Sequence, residues 1–139
     1  MEKEELKQKL KAAWVLRMKI DELRDQLINL SETGTRITPS YGLAPAGSGN
    51  NTSKPEQVAL AVFELEREIN AAIEKQCAAL REIYALIDLL DDEMLKLIMV
   101  MHYVNLKSWE QIAAEMGYSW RWIHKLHSKA LEIIIKTNT

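Results

Sequence analysis

The sequence predicts an all-α protein, built as a long coiled-coil-like helical hairpin followed by a C-terminal helix-turn-helix. Three observations lead there. Apolar side chains recur three or four residues apart over two long stretches, the spacing that puts a single stripe on one side of a helix. Gly and Pro are scarce, five and three in 139 residues, and a composition of 47% apolar, 27% charged and only 6% aromatic residues favours long helices over a sheet sandwich or barrel. Near the C-terminus, two short helical patterns flank the break Met116-Gly-Tyr-Ser119.

The first helix is expected over Glu2 to Leu30, where Leu6, Leu10, Ala13, Leu16, Ile20, Leu23, Leu27 and Leu30 form the stripe. From Ser31 the periodicity stops, and the run to Ser53 is mainly Gly, Ser, Thr, Pro and Asn, so a long loop is predicted at 31–54. It reads either as a solvated linker or as a functional loop anchored by Arg36, Ile37 and Tyr41. Ser53-Lys-Pro-Glu56 then supplies a capping hydroxyl, a Pro in the first turn and a Glu three residues after the cap. The stripe of the second helix runs through Val58, Val62, Leu65, Ile69, Ala72, Ile73, Leu80, Ile83, Ile87 and Leu90. Neither stripe is stable exposed to water, so the two are expected to pair as an antiparallel hairpin, within one chain or between two copies. This divides the chain into a hairpin over residues 1–90 and a helix-turn-helix over residues 91–139.

Asp91-Asp92-Glu93 places acids where a helix N-terminus favours them, and a helix from about Asp92 to Val104 follows, with Leu95, Ile98, Met99, His102 and Tyr103 as its mixed face. Asn105-Leu106-Lys107 reads as a turn, and Ser108-Trp-Glu-Gln111 as a capping box opening the next helix. Gly117 suits the left-handed residue that closes that helix, and Ser119 can cap the last one. Ile112 and Met116 should face inward and Tyr118 should fill an apolar position in the turn. On the last helix, Ile123, Leu126, Ala130 and Ile134 share one side and leave Arg121, Lys125 and Ser128 on the other.

Net charge is −2, which argues against coating nucleic acid by bulk charge, but between Gly117 and Thr139 four basic residues (Arg121, Lys125, Lys129, Lys136) face one acid, Glu132. Cys77 has no partner for an internal disulfide and no ligand companion, and reads as a small buried hydrophobe. His124 and His127 are three apart, yet no Cys, third His or acid pattern completes a metal set, so neither metal nor cofactor is expected. No apolar run approaches the ~20 residues of a membrane span, and MEKEELKQKLK is too polar for a secretion signal, so the expected location is cytoplasmic. No Gly-rich phosphate loop, paired carboxylates or activated nucleophile suggests an enzyme.

Two short helices joined by a tight Gly-containing turn have the make-up of a unit whose second helix enters the DNA major groove. Arg121, in the first turn of that helix, can donate two hydrogen bonds to guanine, and Lys125 can reach a base or a phosphate. His124 flanks this face and can bond a base or, as imidazolium, a phosphate, while Ser119, Ser128 and Lys129 suit the DNA backbone. Trp120 and Trp122 lie beside the packing stripe and read either as partly buried or as sugar-phosphate contacts. His127 points to the packed side and reads as structural.

From Leu86 to Ile134, with SWEQIAAEMGYSWRWIHKLHSKAL at its centre, the sequence resembles the fourth conserved region of bacterial sigma factors, which reads the −35 promoter element. The whole arrangement resembles a family of small sigma-region-like regulators encoded by phages and prophages of Gram-positive bacteria, related to activators of phage late genes. The resemblance implies a DNA-binding transcriptional regulator with double-stranded DNA as partner and Ser119, Trp120, Arg121, Trp122, His124, Lys125 and Lys129 facing it. The sequence departs from the sigma pattern in having Trp120 and Trp122 where basic residues are common, and His124 where Arg is common. RNA polymerase and a second copy of the chain remain open as partners, and two rival readings stand: a protein-interaction module, and a phage DNA-packaging adaptor.

Overall fold

Helix α1, Lys3–Ile37, begins with Glu4 and Glu5 in its first turn, where carboxylates meet the partial positive charge of the helix end. The computed structural model describes residues 1–37 and 54–138. Helix α1 runs past Leu30, where its apolar stripe ends, and so takes the first residues of the predicted loop. There the Thr33 hydroxyl donates back to the Asn29 carbonyl at 2.8 Å, one turn earlier in the helix. The rest of the expected loop, the Ser53 cap and the anchoring expected of Arg36, Ile37 and Tyr41 lie outside the described residues and side chains.

Helix α2 is Lys54–Ile87, α3 is Glu93–Met99, α4 is Trp109–Met116 and α5 is Trp120–Thr137, with no strand among the described residues. The protein is all-α. It divides into two compact units: Met1–Arg17 with Lys75–Thr139, and Met18–Glu74. In the second unit, Ile20 and Leu23 of α1 bury against Ile69 and Ala72 of α2. In the first, Leu6, Leu10 and Ala13 meet Ile83, Leu86, Ile87 and Leu90. There, Lys9 pairs with Glu82 at 3.6 Å and Gln76 donates to the Ala13 carbonyl at 3.5 Å, so one helix ascends as the other descends. The stripes therefore pair within one chain. With Gln76 turned to α1, neighbouring Cys77 points outward: it is exposed, not the buried hydrophobe expected from the sequence.

The C-terminal helices complete the first unit. Asp92 caps α3, its carboxylate accepting from Met94 N at 2.8 Å and Leu95 N at 3.4 Å. The helix expected to continue regularly to Val104 instead widens into a π-helical segment at Val100–Val104. Its end explains the change: Asn105 N donates to the Val100 carbonyl and Lys107 N to the Met101 carbonyl, around Leu106 in the left-handed region at φ 59°. A leucine there costs about 1 kcal/mol of backbone strain. Leu95, Met99 and Tyr103 join the α1–α2 core with Ala130, Leu131 and Ile134 of α5, while Ile98 and Met101 form a second cluster with Ile112, Ala113 and Ile123.

Candidate nucleic-acid interface

Local chemistry fixes the α4–α5 unit at each end. The Ser108 hydroxyl accepts from Gln111 N at 3.1 Å, opening α4, and the Ser119 hydroxyl accepts from Trp122 N at 3.1 Å, opening α5. Between them Gly117 takes φ 71° and ψ 25°, and the N–H groups of Gly117 and Tyr118 both reach the Ala113 carbonyl, closing α4 as a left-handed glycine does. Lys107 and Glu115 meet at 2.8 Å and tie the preceding turn to α4. Tyr118 is exposed rather than packed as an apolar turn residue; the Ile112–Ile123 cluster is covered instead by Trp109, Met116 and Leu126.

Helix α5 is two-sided. Ile123, Ala130, Leu131 and Ile134 are buried and Leu126 and Ile133 partly so, whereas Arg121, Lys125, Ser128 and Lys129 are exposed. With Trp120 and Glu132 they line an open groove of about 460 Å³ along the helix, and among the described residues none of the three cations forms an ion pair. Trp120 and Trp122 are 53% and 45% exposed, too open for core residues and large enough to present wide rings to a partner. Ser119 is exposed, though its oxygen already holds the helix cap. His124 is half-buried between Trp120 and Trp109, with ring centroids at 3.9 and 5.2 Å. Its Nε2 is buried without a hydrogen-bond partner among the described residues.

Behind this face lies a cluster that the sequence did not disclose. His102 stacks on Trp109 at 3.7 Å, its Nδ1 is hydrogen-bonded to the Lys107 carbonyl at 2.8 Å, and Trp109 in turn packs on His127 at 4.5 Å. The Tyr103 hydroxyl and His127 Nε2 share a buried hydrogen bond of 2.6 Å. Burial pushes the His127 imidazole down to about 3, with the positive charges of His102, His124, Lys7 and Lys3 acting in the same direction. Burial lowers His102 as well, against the opposing pull of its carbonyl partner, and drives the Tyr103 phenol well above its ordinary range. His127 is thus a buried, neutral ring packed between Tyr103 and Trp109 behind α5. The only hint in the sequence was the recurrence of His, Tyr and Trp around one turn.

Among the described residues, no group of three His, Cys, Asp or Glu side chains could hold a metal ion, and no helix is long and apolar enough to cross a membrane. No protein-family model, curated protein or solved structure matches the chain.

Proposed function

We propose that the protein is a DNA-binding transcriptional regulator in which α5 enters the major groove of double-stranded DNA. The observation that carries this reading is the two-sidedness of α5: one face is buried in the core, while Arg121 and Lys125, in its first two turns, are exposed and form no ion pair among the described residues, on an open groove whose single carboxylate is Glu132. In this reading Arg121 addresses a guanine edge, Lys125 a base or phosphate, and Ser128 and Lys129 the backbone. The capped, glycine-closed α4 holds α5 at a fixed angle, as a reading helix requires. The resemblance of this segment to the fourth region of sigma factors agrees with the geometry, and a phage or prophage origin goes with that resemblance.

The test compares the wild type with an Arg121→Ala, Lys125→Ala double variant on DNA fragments from the gene's own neighbourhood, at several salt concentrations. Loss of one bidentate base contact should weaken the preferred fragment about 5- to 150-fold relative to random DNA, and the salt dependence should become shallower. Equal affinity of the two proteins at every salt concentration would remove the proposal. The half-exposed Trp120 and Trp122 favour the rival reading of a protein-interaction module, and retention of RNA polymerase without any DNA retention would select it.

A further inference from the structure

A second basic surface lies beside α5, on the first turns of α1. Lys3, Lys7 and Lys11 are four residues apart and so share one side of that helix. All three line a cavity of about 250 Å³ whose other walls include His124, His127 and Ser128. No carboxylate lines it; Glu4 and Glu5, on the same turns of α1, do not contribute. None of the three lysines holds an ion pair among the described residues, whereas Lys9, on another side of α1, pairs with Glu82. His124 and Ser128 line both this cavity and the groove carrying Arg121, Lys125 and Lys129, so the two basic surfaces are one. The unpartnered His124 Nε2 lies where they meet.

From this juxtaposition we infer that Lys3, Lys7 and Lys11 form a phosphate-binding ladder for the sugar-phosphate backbone flanking the groove that α5 reads. The ligand chemistry is phosphate, and the continuity of this cavity with the α5 groove through His124 and Ser128 favours a polymeric source. Residues four apart rise about 6 Å along a helix, so the three ammonium groups are spread over roughly 12 Å. Extended side by side at that spacing, they match a strand that carries a charge every ~3.4 Å of duplex axis. Lysine suits the role, being a flexible point charge that follows a backbone without reading sequence. Ser128, between the two surfaces, adds a neutral hydroxyl for an intervening phosphate. The inference rests on the proposed DNA-binding role of α5 and extends the footprint to a helix far from it in sequence.

The experiment measures binding of a random-sequence duplex across a salt series for wild type, Lys3→Gln/Lys7→Gln/Lys11→Gln, the matching triple Lys→Arg variant, and Arg121→Ala/Lys125→Ala. Three lost phosphate contacts should lower the slope of log affinity against log salt by about 2.7, so a fourfold rise in salt should cost the wild type roughly 40-fold more affinity than it costs the Gln variant. The Arg variant should keep the wild-type slope, and the Gln variant should keep the wild-type preference for its own fragment over random DNA. Matching circular dichroism and urea midpoints show that the Gln variant is folded. A Gln variant with the wild-type slope overturns the ladder and leaves the role of α5 standing. Wild type that binds no duplex removes both. If it then binds pyrophosphate, and the Gln variant does not, the cavity takes a free phosphate compound and the nucleic-acid assignment is wrong.

Discussion

Acid should unfold this protein through His127 before it protonates most carboxylates. The ring is 9% exposed, hydrogen-bonded to the Tyr103 hydroxyl at 2.6 Å and packed on Trp109, and its folded-state value is about 3 against an ordinary 6.5. Because the folded value is depressed, the unfolded chain takes up the proton first as pH falls. The stabilisation from a neutral buried ring is complete above pH 6.5, declines below it and is spent near pH 3. Each pH unit in that window removes about 1.4 kcal/mol, so about 2 kcal/mol is lost between pH 6.5 and 5, a large share of an ordinary domain's stability. His102, lowered in the same direction by its own burial, adds to the slope. Urea denaturation followed by circular dichroism at half-unit steps from pH 7.5 to 4.5 measures it. The variant His127→Gln keeps an acceptor for Tyr103 but cannot titrate, so its midpoints should fall less steeply than those of the wild type by about the same 2 kcal/mol. Parallel profiles would show that His127 is not a buried neutral imidazole and would refute the structural role assigned to it.

Four further substitutions separate what holds the α4–α5 unit together from what it presents. Gly117→Ala adds a Cβ with no heavy atom within 4 Å, so its cost is purely conformational, about 1 kcal/mol for a left-handed alanine, readable as a lowered urea midpoint. Ser119→Ala removes the acceptor for Trp122 N and should also cost about 1 kcal/mol, with fraying of the first turn of α5 visible as faster amide exchange there. Ile123→Ala empties a fully buried site between α3 and α4 and should cost about 2–5 kcal/mol, while Arg121→Ala, two residues away and exposed, should stay within about 0.5 kcal/mol of wild type in the same denaturation assay.

Most of the fold was legible because burial is periodic. The three-four spacing of Leu6, Leu10 and Ala13, or of Ile123, Ala130 and Ile134, can be satisfied only if those positions turn inward, and they do. The serine caps were legible for a similar reason: a Ser three residues ahead of an unpaired N–H is a local arrangement that needs no tertiary knowledge. What escaped depends on more than neighbours. The extension of α1 beyond Leu30 has no stripe to announce it. The π-helical segment depends on Leu106 accepting a left-handed backbone, against its intrinsic preference. Cys77 looked buried by composition, but the register that turns Gln76 to Ala13 decides otherwise. In the candidate site, the α5 residues are strung along one helix and could be read from a wheel. Lys3, Lys7 and Lys11 are more than a hundred residues away in sequence, and only the packing of α1 beside α5 brings them to the same surface. Their spacing was visible in the sequence, but with charges of both signs on α1 nothing distinguished them from solvated residues.

The surface also carries an energetic sign of its purpose. Like charges four residues apart oppose helix formation by about 0.2–0.5 kcal/mol per pair. Helix α5 accepts two such pairs, Arg121 with Lys125 and Lys125 with Lys129, and α1 accepts two more, Lys3 with Lys7 and Lys7 with Lys11. Together they cost on the order of 1–2 kcal/mol, and the nearby acids Glu4 and Glu132 form no ion pair that would offset it. Elsewhere the chain does pair its charges, at Lys9–Glu82 and Lys107–Glu115, and its total charge is slightly negative, so acids are available. Two helices distant in sequence thus hold cations without ion pairs towards adjoining surfaces whose linings include one carboxylate, Glu132. On the proposed DNA-binding reading, a bound polyanion would reverse the sign of that repulsion, so the charges that oppose helix formation in the free protein would favour the complex.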